Sequence, residues 1–279
     1  MISEPVTPEA VASHYDELDH FYREILGDHV HHGLWRRGGE TRAEAVQQLV
    51  DLVAGEMQLA PKLRVCDIGC GYGATARMLA TRGAEVTGIT ISPAQFAIAQ
   101  GSSRVEANPR FLLGDWLAND LPNESFDAAC AIESSEHMPD IRKFFAEANR
   151  VLRSSGQLIV CAWLSADAPT TWKRRWLLEP ICREGRMPNM GTVGDYHSLG
   201  KNAGFALERF QDVTRSVERT WPAIVWRLVG KFVSNPRYLR FVFSPHAHNR
   251  VFALTIFRIW LAYRTGAMRY GVFTFVKRS

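Results

Sequence analysis

The sequence predicts an α/β fold with a doubly wound, mainly parallel sheet of seven strands, a helical insert before the last strand and an N-terminal helical lid. Two observations carry this prediction. Apolar segments of strand length alternate with helical segments between residues 63 and 163, and strands separated by helices form parallel sheets covered on both faces. The first strand also runs into a glycine-rich turn, Gly69 to Gly73, that leads directly into a helix.

The first 163 residues contain these elements in alternating order. Helical periodicity predicts amphipathic helices at residues 8–26 and 42–58, ahead of the sheet. Because proline favours the first turn of a helix, Pro93 marks the start of another. The predicted strands are Leu63–Ile68, Ala84–Ile89, Arg110–Leu113, Phe126–Ile132 and Gln157–Trp163, and the remaining helices are Ala74–Thr81 and Asp140–Leu152.

The pattern changes after residue 168. Residues 169–205 have the pattern of helix and loop, and Phe205–Val213 is predicted to be a strand. Residues 218–265 are predicted to be mostly helical and are rich in Trp, Phe, Leu and Arg, whereas Met268–Val276 alternates like a final strand. The chain is therefore divided into a helical lid (1–60), a ligand-binding core (61–168), and pocket helices with the last strands of the sheet (169–279).

Composition and charge narrow the classes of partner. The 279 residues are 46% hydrophobic and 22% charged, which is typical of a globular protein with a sizeable core. Residues 1–170 contain 14 Lys and Arg against 23 Asp and Glu, and residues 171–279 contain 19 against 6. This asymmetry indicates either a site for an anionic ligand or membrane surface, or basic helices with solvated faces, and we favour the second reading. The basic residues are dispersed without a recognised reader motif, so we expect no nucleic-acid partner.

Targeting and cysteine patterns favour a cytoplasmic protein. The acidic N-terminal segment lacks the basic and apolar regions of a signal peptide. No apolar run approaches the roughly 20 residues that span a bilayer, so we expect no stable membrane insertion. The five cysteines are odd in number and lack C-x-x-C spacing, which argues against a disulfide framework and a structural zinc site.

The turn after the first strand has the features of a ligand site. Doubly wound sheets bind ligands at the carboxyl ends of their strands, and glycines let the backbone come close to a ligand. The G-x-G-x-G spacing after Asp67 differs from the G-x-G-x-x-G of dinucleotide enzymes. Asp67 can accept a hydrogen bond from a cationic amino group, which suits the amino-acid part of a ligand better than a pyrophosphate. The alternative is a tight turn that binds nothing.

Several segments resemble one family of enzymes. VCDIGCGYGATARMLA and VTGITISPAQFAIAQ resemble the first two motifs of class I S-adenosylmethionine (SAM)-dependent methyltransferases. More narrowly, YDELDHFYREILGDHVHHGLW, FDAACAIESSEHMPD and YRTGAMRYGVFTFVK resemble the γ-tocopherol methyltransferase group, with sterol and cyclopropane-fatty-acid methyltransferases as wider relatives. The resemblance spans most of the chain. It implies a Rossmann-like fold, SAM as the cofactor and S-adenosylhomocysteine as its product.

The resemblance also implies which residues hold the cofactor. Most class I methyltransferases place an acidic residue at the end of the second strand to hold the ribose, whereas Thr90 stands there in this sequence, as in the tocopherol and cyclopropane groups. Asp115 would accept from the adenine amine, and Trp116 would stack on the ring. His32 would contact the methionine part, and the alternative is a surface pair with His31. The predicted cofactor set is His32, Asp67, Gly69, Gly71, Gly73, Thr90, Gln95, Asp115, Trp116, Ile132 and His137.

A cluster of titratable residues follows the fourth strand, where donor and acceptor would meet. His137 can act as a general base, since an imidazole has a pKa near neutrality. Glu133 and Glu136 can stabilise a developing cation, orient His137 or bind SAM. The alternative is a capped, solvated loop before the Asp140 helix. At another helix, Ser92 is predicted to be the N-cap because Pro93 follows it. Methyl transfer needs no metal, and the sequence has no typical metal-ligand spacing.

The acceptor is predicted to be a hydrophobic small molecule. Aromatic residues enrich the insert and favour an apolar pocket, with Trp226 in the insert and Tyr15 in the lid as predicted substrate contacts. By resemblance, the prediction is C-methylation of an isoprenoid or prenylated aromatic, through a carbocation that aromatic faces stabilise. Because the second half is basic, a prenyl diphosphate belongs to the acceptors considered.

Other functions stay open at this point. The first alternative is N- or O-methylation of an alkaloid or of a glycosylated or polyketide small molecule. A second class uses the same fold for cyclisation or as a binding scaffold, and retained Asp67, Asp115 and His137 argue against loss of the cofactor. A nicotinamide-dependent oxidoreductase is disfavoured by the glycine spacing and by Thr90. The sequence leaves open whether the chain forms a homo-oligomer.

Overall fold

The structure is a computed structural model that describes residues 7, 11, 16, 27–102, 108–188, 190–226 and 252–278. Its centre is one sheet of seven strands in the order β3-β2-β1-β4-β5-β7-β6. β1 to β5 are parallel, and β7 lies antiparallel between β5 and β6. The strands are β1 (Arg64–Ile68), β2 (Glu85–Thr90), β3 (Arg110–Leu113), β4 (Phe126–Ile132), β5 (Leu152–Ser165), β6 (Phe205–Asp212) and β7 (Met268–Lys277).

α-Helical segments flank the sheet. They are α1 (Arg42–Glu56), α2 (Ala74–Ala80), α3 (Pro93–Gly101), α4 (Ile141–Val151), α5 (Thr171–Lys173), α6 (Glu179–Glu184), α7 (Val193–Asn202), α8 (Thr214–Val217) and α9 (Phe252–Arg264). A π-helical turn, Arg174–Leu178, joins α5 to α6. The predicted seven-stranded, doubly wound fold is confirmed.

The helix ends follow from their capping residues. Ser92 accepts a hydrogen bond from the backbone N–H of Gln95 and precedes Pro93 in the first turn of α3, so its prediction as a helix cap is confirmed. Asp140 is the cap of α4, not its first residue, because its carboxylate accepts from the backbone N–H groups of Arg142 and Lys143. A capping side chain of this kind satisfies donors that the first turn leaves unpaired.

The fifth strand corrects the sequence prediction. It begins at Leu152, not at Gln157, and it ends at Ser165, not at Trp163. Leu152 pairs with Phe126 of β4, and the other end continues because Ser165 pairs with Met268 of the antiparallel β7. Pairing with two neighbours extends the strand beyond its apolar run. The predicted N-terminal helix, 8–26, lies outside the described residues except for Val11 and Asp16, which are helical.

Two apolar clusters cover the two faces of the sheet. One contains Val272 of β7 and the buried residues of α1, α6 and α9, and the other contains Phe273 of β7 with Phe144 and Phe145 of α4. Alternate residues of a strand point to opposite faces, so β7 contributes to both clusters. Each fully buried phenylalanine stabilises the fold by about 1.5–3 kcal/mol. Among the described residues, none of the helices has the length and apolar character needed to cross a membrane.

Candidate active site

A cleft of about 1040 Å³, part of it open to solvent, lies at the carboxyl ends of β1, β2 and β4. This is where the strand order reverses, since β2 lies on one side of β1 and β4 on the other. Doubly wound sheets bind ligands at this position. The residues of the predicted site that line the cleft are Asp67, Gly69, Gly71, Thr90, Gln95, Asp115, Trp116, Ile132, Glu133 and His137.

Asp67 is a buried carboxylate with an unsatisfied oxygen. It ends β1 with its side chain 2% exposed, and its Oδ1 lies 3.7 Å from the Cys130 thiol. Its Oδ2 is buried and has no hydrogen-bond partner among the described residues. Burial raises the pKa of Asp67 to about 7, because a low-dielectric environment disfavours the charged form. An ammonium group in the cleft would satisfy this oxygen, so the site fits the amino-acid part of SAM.

The glycine turn brings the backbone to the cleft. Gly69 has a φ of 75°, and a Cβ placed there would lie 2.4 Å from the Cβ of Ser134, so a side chain does not fit. Gly71 has a φ of 53°, and a Cβ there would meet nothing closer than 3.6 Å, at Val30 Cγ2. A side chain at Gly71 would therefore project into space beside the cleft. Both positions fit close approach of a ligand to the backbone.

Thr90 and Gln95 form one hydrogen-bonded pair. The Thr90 hydroxyl donates to Gln95 Oε1 over 3.0 Å, and both residues are buried. This bond leaves the Gln95 amide N–H group on the side of Gly71, where Nε2 lies 4.0 Å from a Cβ built on that glycine. The pair thus directs an amide donor toward the cleft at the end of β2, the position at which most class I methyltransferases have an acidic residue. The Ser92 hydroxyl donates to Asp16 over 2.6 Å, which attaches the N-terminal segment to the start of α3.

Asp115 and Trp116 lie at the next strand end. One Asp115 oxygen accepts from the Leu117 backbone N–H over 2.9 Å, which fixes the carboxylate beside the cleft. The Trp116 indole N–H donates to the Phe144 carbonyl over 3.3 Å, and the side chain is only 4% exposed. Trp116 is therefore held by the core and presents a small part of its ring to the cleft. Contact of these two residues with adenine stays a prediction.

A short segment with three histidines, residues 29–32, lies beside the glycine turn, and His29 and His31 line the cleft. His31 Nδ1 donates to the His32 carbonyl over 2.8 Å, so its Nε2 accepts from His29 Nδ1 over 3.0 Å. Burial lowers the pKa of His29 to about 3 and also lowers that of His31. Both rings are therefore neutral at pH 7. Arg42 of α1 donates to the carbonyls of His29 and His31, which fixes this segment on the first helix.

His32 was the residue of this pair predicted to contact the cofactor, but His31 lines the cleft, whereas His32 is enclosed by aromatic rings. The centroid of the His32 ring lies 5.1 Å from those of Trp163, Trp221 and Tyr270 and 5.7 Å from that of Tyr263. Its side chain is 2% exposed. Contact of His32 with the methionine part stays a prediction, and its present surroundings are those of a structural centre.

Glu133 holds this centre together. Its Oε1 accepts from the His32 backbone N–H and from the Tyr270 hydroxyl, each over 2.7 Å. Its Oε2 accepts from His32 Nδ1 over 2.9 Å and from the Trp163 indole over 2.8 Å. The imidazole of His32 and these hydrogen bonds lower the pKa of Glu133 to about 2 against the opposing effect of burial. The carboxylate is thus anionic at pH 7, and four donors already engage it.

Donation to Glu133 also fixes the tautomer of His32. Because Nδ1 carries the proton that Glu133 accepts, Nε2 is an acceptor, and the Trp221 indole donates to it over 2.9 Å. Trp221 lies in the helical turns at 220–226. The neighbouring Thr220 hydroxyl accepts from the Gly33 backbone and from the Trp35 indole. The start of the insert is therefore bound to the histidine segment.

Glu136 and His137 differ in access and in charge. Glu136 is buried, with Oε1 accepting from the Trp163 backbone N–H over 2.6 Å and Oε2 accepting from the Ser135 hydroxyl over 3.0 Å. Burial raises its pKa to about 7. His137 lines the cleft, and burial lowers its pKa to about 4, so the ring is neutral at pH 7. Of the three predicted catalytic residues, His137 alone combines access to the cleft with a neutral basic group.

Comparison with known proteins agrees with this geometry. The model of the mycolic acid cyclopropane synthetase family matches residues 4–231. The chain belongs to this family. It is a SAM-dependent methyltransferase, so the SAM-binding character predicted from Asp67 and the glycine turn is confirmed. The roles of the individual residues stay predictions.

Three relatives illustrate the breadth of the family. Tocopherol O-methyltransferase of Arabidopsis thaliana is 28% identical, over 95% of this methyltransferase and 81% of the relative. The 27-O-demethylrifamycin SV methyltransferase of Amycolatopsis mediterranei is 31% identical, over 80% and 84% of the two chains. The crystal structure of mycolic acid cyclopropane synthase CmaA1 with SAH and CTAB has a TM-score of 0.84 and 23% identity, and the match covers 97% of this chain and 98% of that chain.

Of the remaining predicted residues, Gly73 and Trp226 do not line the cleft. Gly73 caps α2 with a φ of 75°. Trp226 is 75% exposed and is the last described residue before the gap at 227–251, and Tyr15 lies outside the described residues. The sequence reasoning missed Trp163 and Tyr270 as partners of Glu133. These two residues are direct cross-strand neighbours in β5 and β7, so opposed polar aromatic residues near the ends of the strands were the available signal.

Proposed function

We propose that this methyltransferase transfers the methyl group of SAM to carbon of an isoprenoid or prenylated aromatic acceptor. The observation that carries the proposal is the buried, anionic Glu133, which lines the cleft and accepts from the Trp163 indole and the Tyr270 hydroxyl. Methylating an alkene or aromatic carbon creates a cation. A fixed carboxylate stabilises a cation in a water-poor site. The tocopherol relative, named for a prenylated aromatic, supports the acceptor class.

In this proposal the residues of the cleft bind, orient and exclude water. Asp67 accepts from the ammonium group of SAM, and the backbone at Gly71 lies against the amino-acid part of SAM. The Gln95 amide donates to the ribose. SAM supplies an activated methyl group, so alignment of the acceptor is the main task left to the protein. Alignment of this kind contributes about 7–11 kcal/mol in well-oriented systems. Four donors hold the negative charge of Glu133 in place. A carboxylate engaged in this way makes a poor base.

His137 is the proposed base that removes the proton from the methylated cation. It lines the cleft and is neutral at pH 7, since burial lowers its pKa to about 4. Glu136 has its two oxygens engaged by Trp163 and Ser135. A general base contributes about 10²–10⁴-fold to the rate, so His137→Gln is expected to lower kcat by about that factor.

The pH profile distinguishes the two candidate bases. A base must be unprotonated, so activity is lost as the pH falls through its pKa. With His137 as base, kcat at saturating SAM should stay level from pH 8 to about pH 5 and fall only towards pH 4. With Glu136 as base, kcat would fall through about pH 7. Circular dichroism at each pH controls for unfolding, and a wild-type midpoint near 7 would contradict the assignment to His137.

O-methylation is the second candidate function. Two relatives carry it in their names, the tocopherol and the 27-O-demethylrifamycin enzymes. The same neutral His137 would accept the proton of a hydroxyl group in that reaction. The two candidates differ in the atom that receives the methyl group, and the product therefore decides between them.

The test is a panel of acceptors with ¹³C-methyl-labelled SAM. The panel pairs prenylated and unprenylated aromatics, and it pairs prenyl alcohols with their diphosphates. We expect prenylated acceptors to be preferred and the label to appear on carbon by NMR. Label only on oxygen or nitrogen would refute C-methylation. Equal turnover of alcohol and diphosphate would remove a diphosphate requirement, and a product isomeric with the acceptor would indicate cyclisation without transfer.

A further inference from the structure

Two neighbouring helical segments form an outer surface beside the insert. The segment 171–184, which comprises α5, the π-helical turn and α6, runs antiparallel to α9. Lys173 Nζ at one end donates to the Thr265 carbonyl over 2.6 Å, and Arg258 donates to Glu184 at the other end over 2.5 Å. Both helices bury their inner faces in the same apolar cluster. Their outer faces therefore share one surface, which we call the α5–α9 face.

This face exposes large apolar side chains. Trp172 is 47% exposed, Trp176 is 66% exposed and Phe257 is 52% exposed, with Leu254 one turn away from Phe257. Of the seven large apolar side chains exposed in the described part of the chain, four lie on the two helical segments of this face: Trp172, Trp176, Leu254 and Phe257. Single exposed apolar residues need no explanation, but Trp172 and Trp176 lie about one helical turn apart on one segment, and exposed aromatic side chains grouped in this way mark an interaction surface.

Basic side chains surround these aromatic residues. Residues 171–186 contain five Lys and Arg against two Glu, and Glu184 is already paired with Arg258. Arg174 and Arg175 are exposed between the two tryptophans, and the Arg175 guanidinium lies 5.9 Å from the ring of Trp176. Exposed tryptophans flanked by arginines on a helix are typical of segments that lie in a membrane interface, where indole rings sit at the level of the headgroups.

We propose that the α5–α9 face binds the surface of an anionic lipid bilayer. The basic charge complements anionic headgroups, and the tryptophans can enter the interface without a spanning helix. A second copy of this chain fits less well, since a two-fold contact would place like charges against each other. The proposal goes beyond methyl transfer, because lipid binding requires neither cofactor nor acceptor. An anionic membrane surface would also complement the excess of Lys and Arg over Asp and Glu in residues 171–279.

The test is co-sedimentation of the full chain with vesicles, without cofactor. We expect binding to vesicles of phosphatidylcholine with phosphatidylglycerol, weak binding to phosphatidylcholine alone, and loss of binding at high salt. The double variant Arg174→Gln/Arg175→Gln should bind about 30-fold more weakly, as each basic residue near an anionic surface contributes a few-fold. Trp172→Ala/Trp176→Ala should weaken binding at least about tenfold.

Two matched controls separate this face from general surface effects. Leu113→Ala removes an exposed apolar side chain at the end of β3, and Arg142→Gln removes an exposed arginine at the start of α4. Both should bind vesicles like the wild type. Binding that does not require anionic lipid, or that survives in both double variants, would overturn the proposal. Sedimentation velocity without vesicles adds one more outcome, since a wild-type dimer that Trp172→Ala/Trp176→Ala dissociates would make this face a contact between copies instead.

Discussion

Asp67→Asn is expected to weaken binding of S-adenosylhomocysteine by about 10- to 150-fold while leaving the folded apoprotein intact. The wild-type carboxylate has a buried oxygen without a partner in the described structure, and a ligand ammonium group supplies a charge-assisted donor. A hydrogen bond to a charged group contributes about 1.5–3 kcal/mol, which gives this range. An amide of the same shape offers no negative charge. Isothermal titration calorimetry measures the difference directly.

The same substitution should change the pH dependence of stability. Burial raises the pKa of Asp67 from 3.8 to about 7. Between these two values the folded state binds a proton that the unfolded state has released, so the contribution of this group to the free energy of unfolding falls as the pH rises. The Asn variant lacks this contribution. In urea unfolding between pH 4 and pH 8, the free energy of unfolding of the variant should therefore increase relative to that of the wild type as the pH rises.

A matched control variant tests whether weaker ligand binding is specific to the loss of the Asp67 carboxylate. Asp51 forms a surface ion pair with Arg82, and Asp51→Asn removes a carboxylate of the same size far from the turn. Its binding of S-adenosylhomocysteine should equal that of the wild type, because surface pairs contribute little. If Asp67→Asn bound the ligand as tightly as Asp51→Asn does, the ammonium group would have to be held elsewhere in the cleft.

The core of the fold was predictable because its signals are local. Parallel strands are buried on both faces and therefore appear in the sequence as largely apolar segments, as at Arg64–Ile68 and Phe126–Ile132. The turn after Asp67 was predictable for a related reason, since its glycines serve backbone geometry that neighbouring residues determine. The position of the cleft can therefore be predicted from these elements without knowledge of contacts between residues far apart in the sequence.

The partners of Glu133 could not be predicted in this way. Its carboxylate joins His32, which is 101 residues earlier, to Tyr270, which is 137 residues later. Only the assembled sheet brings Trp163 and Tyr270 opposite each other. Sequence reasoning recognised an acidic residue at a strand end and predicted chemistry there, but it gave no sign of the four donors that engage its carboxylate. The extension of β5 has the same origin, since its ends are decided by strands far away in sequence.

Glu133→Gln is expected to lower both the stability and the activity of the enzyme. A glutamine amide turns its NH₂ group toward donors that now point at a carboxylate oxygen, so two of the four buried hydrogen bonds are lost. Each buried donor left without its acceptor costs about 1–3 kcal/mol of the free energy of unfolding. His32 also loses its fixed orientation, and a displacement of about 1 Å near the reacting groups lowers kcat by about 100-fold.

Acid stability and a matched variant test this role of Glu133. Because the folded state lowers its pKa from 4.5 to about 2, the carboxylate contributes stability that is complete above pH 4.5 and is lost as the pH falls towards 2. Unfolding curves of Glu133→Gln should lack this loss. Tyr270→Phe removes a single donor to the same carboxylate, and it should cost only about 0.5–1.5 kcal/mol and keep the acid transition. If the two variants proved equally stable, Glu133 would not be the centre that holds the histidine segment against the sheet, and the arrangement of His32 would depend on its aromatic neighbours alone.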